Sequence, residues 1–293
     1  MTLFAQLWDV FVAPFAEFEF MRRALIGSMA LALAAAPVGV MLMLRRMSLT
    51  GDAMAHAILP GAAVGYLVAG LSVPAMTGGG LVAGVTVAVA AGAVARASVL
   101  REDTTLAAFY LLSLELGVTI VSMKGSNVDL LHVLFGSVLA LDDPGLTLIG
   151  VIATVTLVTL AFILRPLVVD SIDPTFLGSV SRSGAIVHLA FMGLVVLNLV
   201  GAFQALGTLL AVGLMMLPAA SARLWSDDLT AVIGLSVVIA MGSAYAGLVA
   251  SYHHELPAGP AIILAAGVFW LLSLAFGRRG LLTRRLTRRH LEA

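Results

Sequence analysis

The sequence predicts an all-α polytopic membrane protein with eight or nine transmembrane helices, and three observations predict it. Of 293 residues, 61% are hydrophobic and only 11% charged, against about 25% charged in a soluble domain; the mean hydropathy is +1.09. Runs without Asp, Glu, Lys or Arg extend over Ala24–Leu44, Ala53–Ala95, Pro144–Leu164, Ser183–Ala222, Leu229–His254 and Leu256–Gly277, and about 20 such residues cross the hydrocarbon of a bilayer. The basic residues sit at the ends of these runs and favour alternate connections. Such a chain cannot clothe a wet surface in polar side chains, so a water-soluble enzyme is excluded.

Residues 1–20 mix Phe4, Trp8, Phe11, Phe15, Phe18 and Phe20 with Asp9, Glu17 and Glu19, the pattern of a short amphipathic helix lying in the membrane interface. They lack the basic start of a cleavable signal peptide. A transmembrane domain follows over 21–278, with spans near 22–45, 53–71, 76–97, 103–123, 145–165, 184–200, 205–223, 229–250 and 257–277. The two longest runs each hold two crossings, and the span 103–123 is interrupted mid-way only by Glu115. Residues 279–293 form a basic tail. Pro37, Pro60 and Pro218 fall inside spans, where each removes a backbone hydrogen bond and kinks the helix. Small-residue patches such as Gly78-Gly79-Gly80 permit close helix packing.

If the C-terminal arginines lie in the cytoplasm, alternation leaves only Arg22, Arg23 and Lys124 of the 16 Lys and Arg residues outside. This is the positive-inside bias. Most connections are short, leaving no room for a soluble catalytic domain, so any ATP must be bound by another chain. The chain has no cysteine and a formal charge of +0, which removes thiolate metal sites and gives no sign of a nucleic-acid partner. The longest inside connection, 165–183, contains Asp173 followed by Pro174, an N-cap with proline at the first helical position. That short helix is either an ordinary linker or the element through which a transporter receives force from a motor.

Asp52 and His56 are four residues apart, so on a helix they share one face. A carboxylate oxygen and an imidazole nitrogen suit zinc, manganese or iron; one of each is half a four-ligand site, and a second copy of the chain would supply the rest. The other reading is that Asp52 caps its helix and His56 bonds a carbonyl. Asp52 falls near the cytoplasmic end of its span, with Ser48–Gly51 either a loop in water or a break at membrane depth.

Four stretches are similar to one family. Met47-Ser-Leu-Thr-Gly-Asp-Ala-Met-Ala-His-Ala-Ile-Leu-Pro-Gly-Ala-Ala resembles the segment that marks membrane permease subunits of the zinc/manganese/iron ABC importers. Leu130-Leu-His-Val-Leu-Phe-Gly-Ser-Val-Leu, Gly207-Thr-Leu-Leu-Ala-Val-Gly-Leu-Met-Met-Leu-Pro-Ala-Ala-Ser-Ala-Arg and Ser251-Tyr-His-His-Glu-Leu-Pro-Ala-Gly-Pro match its other motifs in order, covering about residues 20–278. The resemblance implies a homodimeric permease in the bacterial cytoplasmic membrane. Its partners would be two cytoplasmic ATP-binding subunits that hydrolyse the ATP and an extracytoplasmic metal-binding delivery protein. Asp52 and His56 from both copies would line the metal pathway. The stretch 173–183, with Asp173, Pro174, Phe176, Gly178 and Arg182, would be the coupling helix. No cofactor is bound permanently. The transported ion is Zn²⁺ or Mn²⁺, with zinc favoured by ligand softness and manganese by the carboxylates.

Other polar residues have competing readings. Glu115 is a relay group or a structural partner of a buried hydroxyl, the latter preferred. His253, His254 and Glu255 collect a divalent ion at the outer mouth or form a solvated loop, again the latter preferred. Asp129 caps a helix, and His188 is a packing histidine. The rival functions are a proton-coupled carrier using Asp52 and Glu115, and a permease for a metal chelate with a wide apolar cavity.

Overall fold

In hydrocarbon a backbone N–H has no water to bond, so each apolar run satisfies its peptide groups internally as helix. The structure, a computed structural model, describes residues 3–70, 72–99, 102–123, 138–172, 184–205 and 207–282. Among them there is no strand. The elements are α1 (Leu3–Phe11), α2 (Ala13–Glu17), α3 (Glu19–Leu44), α4 (Thr50–Ala57), α5 (Leu59–Ala69), α6 (Val73–Ala97), α7 (Glu102–Met123), α8 (Asp143–Ile172), α9 (Gly184–Ala205), α10 (Thr208–Arg223), α11 (Leu229–His254) and α12 (Ala258–Phe276). Among the described residues, seven helical stretches are long and apolar enough to cross a membrane, α4 and α5 counting as one. Two further apolar stretches, Thr104–Gly117 and Leu210–Arg223, are shorter. Together they fall on the nine expected spans in order.

Two boundaries differ from expectation. α8 runs on through Pro166 to Ile172, past the expected end at residue 165. The second span is broken at Ile58, because Pro60 enters at the start of α5 without an N–H to donate. Lys124, Asp129, residues 130–137 of the 130–139 motif (His132 among them), the stretch 173–183 and the tail beyond 282 lie outside the described residues.

α3 is the bundle's centre and packs on α8, α10 and α11. Its face is made of small residues, Ala32, Ala35, Ala36 and Gly39 among them, all buried. At Gly39 a β-carbon would overlap the Met215 carbonyl oxygen of α10, so only glycine allows that approach. α3 and α8 run parallel and are tied at both ends, Arg23 to Asp143 at 3.0 Å and Arg45 to Asp170 at 2.9 Å. α11 runs antiparallel to α3, with the rings of Phe18 and Tyr252 5.7 Å apart. Between α8 and α9 the Asn198 amide donates to the Thr156 hydroxyl at 2.8 Å in the buried interior. At the far end the Arg279 N–H donates to the Leu224 carbonyl, and its side chain pairs with Asp227. One end of the bundle therefore carries Arg22 and Arg23 and the other carries Arg45, Arg46, Arg223 and Arg279, the segregation that the alternation of basic residues predicts.

α5 and α6 cross on glycines. A β-carbon at Gly61 would overlap the Gly79 carbonyl oxygen, one at Gly79 would overlap the Gly61 carbonyl oxygen, and one at Gly65 would overlap that of Ala75. This is small-residue packing of the kind that lets membrane helices touch backbone to backbone. It anchors α5 immediately after the segment carrying Asp52 and His56.

Candidate metal-pathway site

α4 is a short helix set off by a turn at each end. Before it, α3 ends in a tight reversal: Arg46 adopts the left-handed conformation (φ 58), its N–H bonding Met43 and that of Met47 bonding Leu42. This is the two-bond helix stop usually built on glycine. After it comes the break at Ile58. The helix keeps Asp52 in its first turn and His56 in its last, which suits the charges of the two helix ends. Gly51 faces α10: a β-carbon there would lie 3.6 Å from Met216 Cε and 3.8 Å from Met215 Sδ.

Asp52 Oδ1 and His56 Nε2 stand 3.9 Å apart, too far for a hydrogen bond and close enough to converge on one ion. Two donors each about 2.1 Å from a common divalent metal lie about 3.0–3.5 Å apart, so a small side-chain rotation closes the gap. The capping alternative does not hold. Leu49 occupies the N-cap with no side-chain bond, and among the described residues His56 bonds no carbonyl. Its ring instead lies over Tyr110 of α7, centroids 6.1 Å apart and planes inclined by 29°. The Ser113 hydroxyl donates to the Ala57 carbonyl at 3.0 Å, and Gly117 lies against Pro60. Tyr110, Ser113 and Gly117 thus form the face of α7 that holds α4 and the break. Tyr110 is about 12 Å along α7 from Glu102.

Both side chains remain open in the single chain, Asp52 64% and His56 42% exposed. Among the described residues no group of three or more His, Cys, Asp or Glu could hold a metal. Glu115, two residues from Ser113, points from the other side of α7; its carboxylate is exposed and has no partner among the described residues, and the Thr119 hydroxyl bonds its backbone oxygen. Among the described residues it neither joins Asp52 nor bonds a buried hydroxyl.

His253, His254 and Glu255 are not a loop. The two histidines close α11, and Glu255 caps it in the left-handed conformation. His253 Nε2 lies 2.9 Å from the Val10 carbonyl, and the Tyr245 hydroxyl donates to the Phe11 carbonyl at 2.7 Å. These are free carbonyls at the end of α1, so the two side chains cap that helix, with Phe15 stacked on Tyr245 at 5.4 Å. A carbonyl only accepts, so His253 Nε2 carries the proton and is no metal donor in this arrangement. The residues Asp173, Pro174, Phe176, Gly178 and Arg182 lie outside the described residues. His188 is buried and bonded to Arg45, as a packing histidine requires.

The model of the ABC 3 transport family matches residues 17–277, and the chain belongs to that family. It is 34% identical over 264 residues to the manganese import system permease protein ScaB of Streptococcus parasanguinis, covering 90% of this chain and 92% of that one. It is 31% identical over 275 residues to the manganese transport system membrane protein MntC of Listeria monocytogenes, covering 93% and 96%. Among solved structures, PsaBC from Streptococcus pneumoniae in complex with Fab superposes with a TM-score of 0.80 at 29% identity, covering 94% of this chain and 97% of that one.

Proposed function

We propose that the chain is the permease subunit of an ATP-driven importer that carries Mn²⁺ across the bacterial cytoplasmic membrane, with Asp52 and His56 of two copies as the pathway ligands and the C-terminus in the cytoplasm. The relatives' names supply manganese. Donor softness favours zinc, but the relatives above are named for manganese, and the carboxylate oxygens suit manganese.

One observation carries the site. Two donors stand 3.9 Å apart on one face of α4, on a surface left open by the single chain. A carboxylate in that position costs about 2.5–3.5 kcal/mol if it faces lipid, and two donors are too few to replace the hydration shell of a divalent ion. A second copy that covers α4 removes both problems and brings two more donors. The ion enters from an extracytoplasmic delivery protein. Asp52 and His56 of both copies exchange part of its water shell, and ATP binding and hydrolysis in two cytoplasmic partner subunits move the stretch 173–183 and re-open the site inward. Four moderate ligands hold the ion long enough to select it and loosely enough to release it.

The test is ATP-dependent manganese uptake by the complete complex reconstituted in vesicles. Asp52→Ala and His56→Ala each lower uptake by roughly 10–100-fold or more, the range seen even for outer-shell partners of metals, while the complex still assembles. Unchanged uptake in either variant contradicts the site. Uptake that needs no ATP-binding partner contradicts the transporter class.

A further inference from the structure

Arg45 is the residue where three helices meet at the basic end of the bundle. It caps α3, donating its backbone N–H to Met41. Its Nη1 is 2.9 Å from Asp170 Oδ2 near the end of α8, and its Nη2 is 2.9 Å from His188 Nδ1 near the start of α9. Its guanidinium lies 5.8 Å over the ring of Phe191. The cluster is shielded, with the Arg45 and Asp170 side chains 12% and 11% exposed and His188 8%. Nη1 has no well-aligned hydrogen bond, so its link to Asp170 is a close contact of opposite charges. Arginine only donates, so His188 Nδ1 accepts and the proton sits on Nε2.

Two features give the cluster a direction. Asp170 and His188 bracket the stretch 173–183, so one guanidinium holds both of its flanks. On the other side, Arg45 is joined to α4 by the rigid reversal in which Met47 N–H bonds Leu42 and Thr50 N–H bonds Met47. We propose that Arg45, gripping Asp170 and His188, is the strut that carries motion from the flanks of 173–183 to the metal-bearing helix α4. This rests on the reading of 173–183 as the contact with the ATP-binding subunits. Arg45 is a positioning residue and touches no ion. Its planar fork reaches two partners on two helices at once, which a lysine ammonium does not reproduce.

The test uses the complete complex in vesicles and reads manganese imported per ATP hydrolysed. Arg45→Lys and His188→Ala are expected to keep assembly and basal ATP hydrolysis while the ratio falls at least fivefold; His188→Asn, which retains an acceptor, recovers part of it. A wild-type ratio in Arg45→Lys overturns the strut. A second measurement needs no strut variant. Because the chain has no cysteine, spin labels at Leu49→Cys and Ile172→Cys, both exposed, report one intrachain distance when a single copy of the pair is labelled. A strut keeps that distance constant between nucleotide-free and ATP-bound complexes, and a change of several ångströms overturns it. If instead the unmodified complex imports no manganese, the transporter reading fails; if import is normal and either strut result is adverse, only the strut fails.

Discussion

Replacing Gly79 by alanine puts a methyl group where α6 crosses α5. Its β-carbon would overlap the Gly61 carbonyl oxygen and lie 2.9 Å from the carbonyl carbon. Both opposing atoms are backbone, so no rotamer change relieves the clash, and the helices must part by about 1 Å to regain ordinary contact. Overpacking of this size costs about 1–3 kcal/mol, and the better helix propensity of alanine returns up to about 1 kcal/mol. A net loss of about 1–2 kcal/mol is expected, a change of roughly 5–30-fold in the folded-to-unfolded ratio. Gly78, its neighbour on α6, has nothing within 4 Å of its β-carbon position, so Gly78→Ala meets only the propensity gain. Thermal unfolding of the detergent-solubilised chains, compared side by side, checks this. Gly78→Ala unfolds at or above the unmodified chain and Gly79→Ala below it. Gly61→Ala combined with Gly79→Ala costs less than the sum of the two, because both relieve one crossing. A Gly79→Ala chain as stable as Gly78→Ala refutes the reasoning.

Three further outcomes follow from the packing. Tyr245→Phe keeps the ring on Phe15 and removes only the hydroxyl that caps α1; it is expected to cost about 1 kcal/mol, seen as faster amide exchange in residues 3–11 with manganese uptake unchanged. Asn198→Ala removes the buried bond to Thr156 between α8 and α9 and is expected to lower stability by about 0.6–2 kcal/mol, read from the same thermal unfolding. Tyr110→Leu removes the ring beneath His56 while keeping apolar bulk. It is expected to raise the manganese concentration needed for half-maximal uptake several-fold, with maximal uptake and assembly retained.

The spans were legible because long apolar runs are the strongest signal a sequence carries, and the arginines at their ends foretold which helix ends lie together. Helix limits were less legible. The expected span ended at residue 165, yet α8 continues through Pro166, and the break at Ile58 is packed by Ser113, which bonds the Ala57 carbonyl, and by Gly117 against Pro60. The Asp52 and His56 spacing was readable as a shared helical face. Its surroundings were not, since Met215, Met216 and Tyr110 come from other helices. The same limit applies at Arg45 and His188, which meet although 143 residues apart in sequence. His253 shows the reverse case: a suggestive His-His-Glu string becomes a cap once α1 is placed against it. Tyr110, Ser113 and Gly117 fall at helical spacing on one side of α7, the one signal in the sequence that marked them.

How many manganese ions the assembled permease holds, and by which donors, bears most directly on all of this. Equilibrium binding of Mn²⁺ to the purified complex, with Asp52→Ala and His56→Ala chains measured alongside, is expected to give one ion per two chains and to lose it in either variant. One ion per chain, or an ion retained when both donors are gone, contradicts a site shared across the pair.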